Sequence, residues 1–169
     1  MKEIRGISPG DRLDRVLGVV ASAAWAKIRA RLDLPFHEFE TAGRLVPFSE
    51  LRARRSVDVQ LCLKVLRAYR RKLLPRDDLK RQSRTVTTDL IELRNISAHR
   101  NDDGPVTEWH VQRARELAEE LLQKLECPAA AREAANLAER PEIAYVAQLR
   151  RALVKAARER GDVPVAVEI

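Results

Sequence analysis

Apolar residues return every three or four positions along most of the chain. Leu13, Val16, Leu17, Val20, Ala24 and Ile28 form one stripe ending near Leu32, and Val59, Leu63, Leu66, Tyr69 and Leu73 form a second. Val86, Leu90, Leu93 and Ser97 make a third, and Val111, Ala114, Leu117, Leu121 and Leu125 a fourth. This is the 3.6-residue period of amphipathic helices, so the spacing predicts four of them, with polar residues on their outer faces. Turn residues place the boundaries. Ser8-Pro9-Gly10-Asp11 opens the first helix with a cap at Asp11, and Leu34-Pro35-Phe36-His37-Glu38-Phe39 ends it. Gly43 and Pro47 predict an irregular region until Ser49-Glu50 opens a short Arg-rich turn. Ser56 is the expected cap of the second helix and Pro75 its stop; a polar connector over 76–84 leads to the third, capped by Thr85 or Thr87. The turn Asn101 to Pro105 then separates it from a fourth helix capped by Thr107.

Beyond Cys127-Pro128 the composition shifts to Ala, Glu and Arg. A short helix through Leu137 is expected, then one from Pro141 to Arg160 with Ile143, Val146, Leu149 and Leu153 on its apolar side and Gly161 as its stop. Residues 163–169 alternate as an extended tail. The expected fold class is all-α: a helical bundle with an additional C-terminal helical segment. The expected organisation is a helical domain over 1–127 and a C-terminal helical extension and tail over 128–169, packing on that domain or leading to a further one.

Composition sharpens this picture. Only six Gly and few β-branched runs fit helices joined by short turns, and 169 residues suffice for a core without disulfides. Cys62 and Cys127 share no spacing with other ligands and read as reduced thiols. A charged N-terminal stretch and the lack of 18 uninterrupted apolar residues predict neither signal peptide nor membrane span, hence a soluble, cytoplasmic chain. The net charge of +7, mostly from Arg, makes a polyanion a partner to consider, although many such cations are simply the solvated face of an Ala/Leu-rich helix. Phosphate-binding Gly loops, His-Glu-x-x-His, Cys-x-x-Cys and Gly-x-Ser-x-Gly are all missing from the sequence. Three His residues, none close to another, predict no metal site and no cofactor.

The chemistry concentrates in Leu90-Ile91-Glu92-Leu93-Arg94-Asn95-Ile96-Ser97-Ala98-His99, followed by Arg100-Asn101-Asp102-Asp103-Gly104-Pro105. Arg94, Asn95 and His99 fall outside the apolar stripe. Asn95 and His99, four apart, are neighbours on the helix surface, so the amide can orient the imidazole. Arg94 sits about 140° around from His99, so a single regular helix does not aim both at one small anion. Arg31 and His37 satisfy a looser version of the same spacing, but their apolar surroundings assign them to chance and packing.

In this string the sequence resembles the HEPN superfamily (higher eukaryotes and prokaryotes nucleotide-binding domains), marked by Arg, a polar residue, three to five further residues, then His. Leu93-Arg94-Asn95, Ala98-His99 and the flanking helices are similar to the subtype found N-terminal to large ATPases and in RNA-surveillance endonucleases. The resemblance spans roughly Leu13 to Leu125 and is specific over Leu90 to Asn101; Ser97 departs from it, since relatives commonly carry an aromatic there. It implies a bundle that dimerises through the motif helices, and metal-independent RNA cleavage in a toxin, defence or RNA-processing role. By that match Arg94 and His99 are the expected catalytic residues and Asn95 their polar companion. Attack of a ribose 2′-hydroxyl on its own phosphate needs a proton acceptor of the imidazole type and a fixed cation on the phosphorane oxygens. Arg100, Arg84, Arg81, Lys80 and Arg113 are the expected RNA-backbone contacts. Trp25, Tyr69 and Trp109 are assigned to core or interface rather than to base stacking.

In the expected homodimer a two-fold axis beside α-helical residues 94–99 brings each Arg94 to the other chain's His99, with Ile91 and Ala98 sealing the contact. A different reading stays open: a non-catalytic dimerisation, RNA-binding or protein-interaction module of a larger protein, in which His99 satisfies a helix-end carbonyl and Arg94 pairs with Glu92 or Asp89. A nucleotide-sensing domain of a defence protein is a third. A regulatory protein, or a further domain after Ile169, completes the partners considered.

Overall fold

A computed structural model describes residues 7–74, 81–100 and 104–139. Its elements belong to one compact unit, Ser8–Ala138, and are mostly helical. Helix α1 (Pro9–Arg31) is followed by strands β1 (Glu38–Thr41) and β2 (Arg44–Pro47), then by α2 (Phe48–Ala53), α3 (Val59–Leu73), α4 (Arg81–Ala98), α5 (Glu108–Lys124) and α6 (Pro128–Ala138). The all-α class holds. The expected helix from Pro141, the tail and Lys80 lie outside the described residues.

The core forms on α1, whose stripe Leu13, Val16, Val20, Ala24 and Ile28 is wholly excluded from solvent. Helices α3, α4, α5 and α6 all pack against it. Arg12, also buried, crosses this seam: it donates to the Ala138 carbonyl at 3.0 Å and pairs with Glu108, tying α1 to the end of α6 and the start of α5. The buried guanidinium is matched at its two terminal nitrogens by a carboxylate and a carbonyl, while its Nε is buried without a hydrogen-bond partner among the described residues. Helix α6 packs on α1 and α5 within the same compact unit.

Several boundaries move from their expected places. Ser8, not Asp11, caps α1, accepting the Asp11 N–H at 3.1 Å, because Pro9 has no N–H to leave unpaired in the first turn. Asp58, not Ser56, caps α3, its Oδ1 accepting from the Gln60 N–H at 2.8 Å and the Leu61 N–H at 3.3 Å. Helix α4 starts by Arg81, ahead of both Thr85 and Thr87, and Thr87 is fully buried. Its first residues are good helix formers without an apolar member, so periodicity alone does not mark them. Thr107 caps α5 as expected, and His110 Nδ1 accepts the Thr107 N–H at 3.0 Å.

The irregular region expected over 34–49 contains an antiparallel hairpin, with Glu38 opposite Pro47 and Thr41 opposite Arg44. Ala42 (φ 50°) and Gly43 (φ 73°) make its two-residue turn, the positive-φ pair that matches strand twist. Val46 and Phe48 are buried, and Phe39 meets Phe48 edge-on at 6.0 Å, which pins the hairpin to the bundle. His37, exposed, meets Tyr69 edge-on at 5.8 Å.

Candidate functional site at the end of α4

Helix α4 lies against α3, α5 and α1, and its C-terminal half presents a different chemistry to each. Leu90 and Leu93 are buried in the bundle, while Glu92 and His99 are exposed and Asn95 and Ile96 half-buried on the outer strip. The structure therefore keeps Asn95 and His99 on one surface strip. The His99 backbone N–H donates to the Asn95 carbonyl at 2.9 Å, so helical geometry persists up to His99 and the helix does not loosen before it.

Arg94 is placed elsewhere. Its half-buried guanidinium turns toward α3, where Nη2 lies 3.8 Å from Oδ2 of Asp58. Asp58 supplies both this charge and the cap of α3 through its other oxygen, Oδ1. The open alternative pairing of Arg94 with Glu92 or Asp89 is thus replaced by a partner from another helix. Asp89 instead accepts from Arg113 of α5 at 2.9 Å, and Arg113 also lies 3.6 Å from Glu116.

On the α1 side, Ser97 is buried and its hydroxyl donates to Asp14. A small polar residue suits this position, which faces a carboxylate of α1. Arg100 continues the seam, its Nη1 3.7 Å from Asp14 and 3.9 Å from Asp11. It passes so close to Gly10 that a Cβ there would stand 2.8 Å from Nη1.

Of the expected backbone contacts, Arg100 and Arg113 therefore sit beside carboxylates, while Arg81 and Arg84 fall on the first turns of α4 and their side chains are not described. Ile91 is buried within its own chain rather than offered to a second copy. Trp25 is core, whereas Trp109 is 66% exposed beside a groove of about 470 Å³ between α4 and α5 that Leu93, Ile96 and Arg113 help to line. Sequence reasoning missed Asp14 and Asp58, whose partners are remote in the chain. Cys62, on the inner side of α3, donates to the Ala21 carbonyl, and burial, helped by the Asp58 charge, pushes its thiol up to about 12. It is a packing residue. Among the described residues no group of His, Cys, Asp and Glu is placed to hold a metal ion, and no helix is long and apolar enough to cross a membrane.

No known family model, curated protein or solved structure matches this chain.

Proposed function

We propose that the chain is an RNA-directed domain of the HEPN type that cleaves RNA without a metal ion. The observation that carries this reading is the exposed strip at the end of a core helix on which Asn95 and His99 stand one turn apart, with the half-exposed Arg94 beside it. In the proposed reaction His99 accepts the 2′-hydroxyl proton as that oxygen attacks the adjacent phosphorus. Arg94 stabilises the charge on the phosphorane, and protonation of the 5′-oxygen leaving group gives a 2′,3′-cyclic phosphate.

Within one copy Arg94 and His99 diverge, so the reading requires a homodimer in which each Arg94 serves the partner's His99 position. Ile96 and Trp109, apolar and partly or largely exposed next to the strip, favour a second copy on this side. The expected outcome is cleavage of single-stranded RNA in EDTA, cyclic phosphate ends, and loss of cleavage in His99→Ala. Mixing Arg94→Ala and His99→Ala chains then restores part of the activity. Cleavage that stops in EDTA and returns with Mg²⁺ refutes the mechanism; a strict monomer at micromolar concentration, or no complementation despite exchange, refutes the composite site.

One observation favours the second reading, a non-catalytic docking module. The guanidinium of Arg94 faces Asp58 and thereby has a structural partner. On that reading RNA is bound and left intact.

A further inference from the structure

We infer that the outer face of α3 is the surface that holds the RNA backbone. The inference rests on the RNA-directed reading for the identity of the polyanion, and on the following observations for its place. Between Val59 and Leu73 there is no Asp or Glu, yet there are five cations, Lys64, Arg67, Arg70, Arg71 and Lys72. Lys64, Arg67 and Arg71 are exposed and fall at i, i+3 and i+7, a line interrupted at Tyr69, where the backbone (φ −108°, ψ 18°) kinks the helix between Arg67 and Arg71. At 1.5 Å per residue that line is about 10 Å long.

Among the described residues none of these five has a carboxylate within ion-pairing distance, whereas Arg12, Arg31, Arg54, Arg100 and Arg113 each have one. The hydrogen bond from Arg70 Nη1 to the Arg67 carbonyl, 3.2 Å, neutralises no charge. Like charges three and four apart destabilise the free helix, so this face is completed only by an external anion. Three cations can neutralise up to three phosphates of a strand.

The position of the row also connects it to the motif. Asp58, whose carboxylate faces Arg94, caps the start of α3, and Lys64 stands six residues, about 9 Å, further along. Lys64 also lies about 120° around α3 from Asp58, so a strand whose scissile phosphate reaches Arg94 has to wrap around the start of α3 to meet Lys64 and Arg67. Ala68 is the one apolar residue on the outer stripe and offers no wedge for a bilayer, which favours a soluble polyanion over an anionic membrane.

The test is fluorescence anisotropy with a labelled 20-nucleotide single-stranded RNA and the full chain in EDTA, at about 50 and 200 mM salt. Lys64→Gln/Arg67→Gln/Arg71→Gln is compared with a control of equal charge loss, Arg44→Gln/Arg54→Gln/Arg132→Gln. The expected result is at least a ~30-fold loss of affinity for the α3 variant at low salt, with its salt slope reduced by about 2, against less than ~3-fold for the control. A melting curve checks the fold, and Lys64→Gln/Arg71→Gln stands in if the triple variant is unfolded. An α3 variant that binds like the unmodified chain, equal weakening of both triples, or no RNA binding at all overturns the inference. So does α3-dependent binding to phosphatidylserine vesicles without α3-dependent RNA binding. Cleavage of the same RNA separates the two readings: RNA held through α3 but never cut keeps this surface and rejects the endonuclease, and RNA cut by an α3 variant of normal affinity does the reverse.

Discussion

Helices α3 and α5 flank α4 and bury comparable apolar stripes, Leu63 and Leu66 in one, Ala114 and Leu121 in the other. Their outer faces differ completely. On α5 the charges interleave: Lys124 pairs with Glu120 at 2.8 Å, and Arg113 is held between Asp89 and Glu116. On α3 five cations stand without an acidic residue in the helix. Five cations and no acid leave α3 at +5, whereas four Glu against three cations leave α5 at −1, so only α3 gives a positive field that an approaching polyanion feels.

The comparison can be broken most directly at the two arginines that face each flank. On the proposed mechanism Arg94→Ala lowers RNA cleavage by about 10³, the usual cost of removing one group that stabilises transition-state charge, and Arg113→Ala by less than ~3-fold. Rates measured in EDTA at saturating RNA decide it; a reversed order would assign the working cation to the α5 side. A smaller effect is expected at the α1 seam. Ser97→Ala leaves Asp14 without its buried donor and costs about 1 to 2 kcal/mol of stability, read from urea unfolding. An unchanged midpoint would show that the flanks alone position the end of α4. The smallest effect is at Asp58→Asn. Asn caps a helix as well as Asp does, so stability is unchanged, while loss of the carboxylate beside Arg94 raises RNA affinity about threefold. A weaker affinity would mean that Asp58 holds Arg94 in its working position rather than competing with the phosphate.

The stripes of α1, α3, α4 and α5 were legible because each repeats at 3.6 residues over three or more turns. The hairpin was not: four-residue strands are too short for alternation to register, and Ala42-Gly43 lacks the Asn-Gly signal of such turns. At the site, the shared strip of Asn95 and His99 followed from spacing alone. The roles of Asp14 and Asp58 could not, since their contacts with Ser97 and Arg94 join different helices and leave no local pattern. For the same reason Arg100 and Arg113 read as available cations until the structure set carboxylates beside them, whereas the cations of α3, which read as an ordinary solvated face, have none beside them among the described residues.

The central place of α1 has a consequence for the order of synthesis. Its apolar face is finished when Leu32 is made, but among the described residues the last helix that covers it, α6, ends at Ala138. At roughly 5–20 residues per second the nascent chain carries that face incompletely covered for on the order of ten seconds. The seam is complete only when Arg12 has gained both Glu108 and the Ala138 carbonyl. A ribosome that stalls before Ala138 holds a chain whose founding helix is still open to chaperones and proteases.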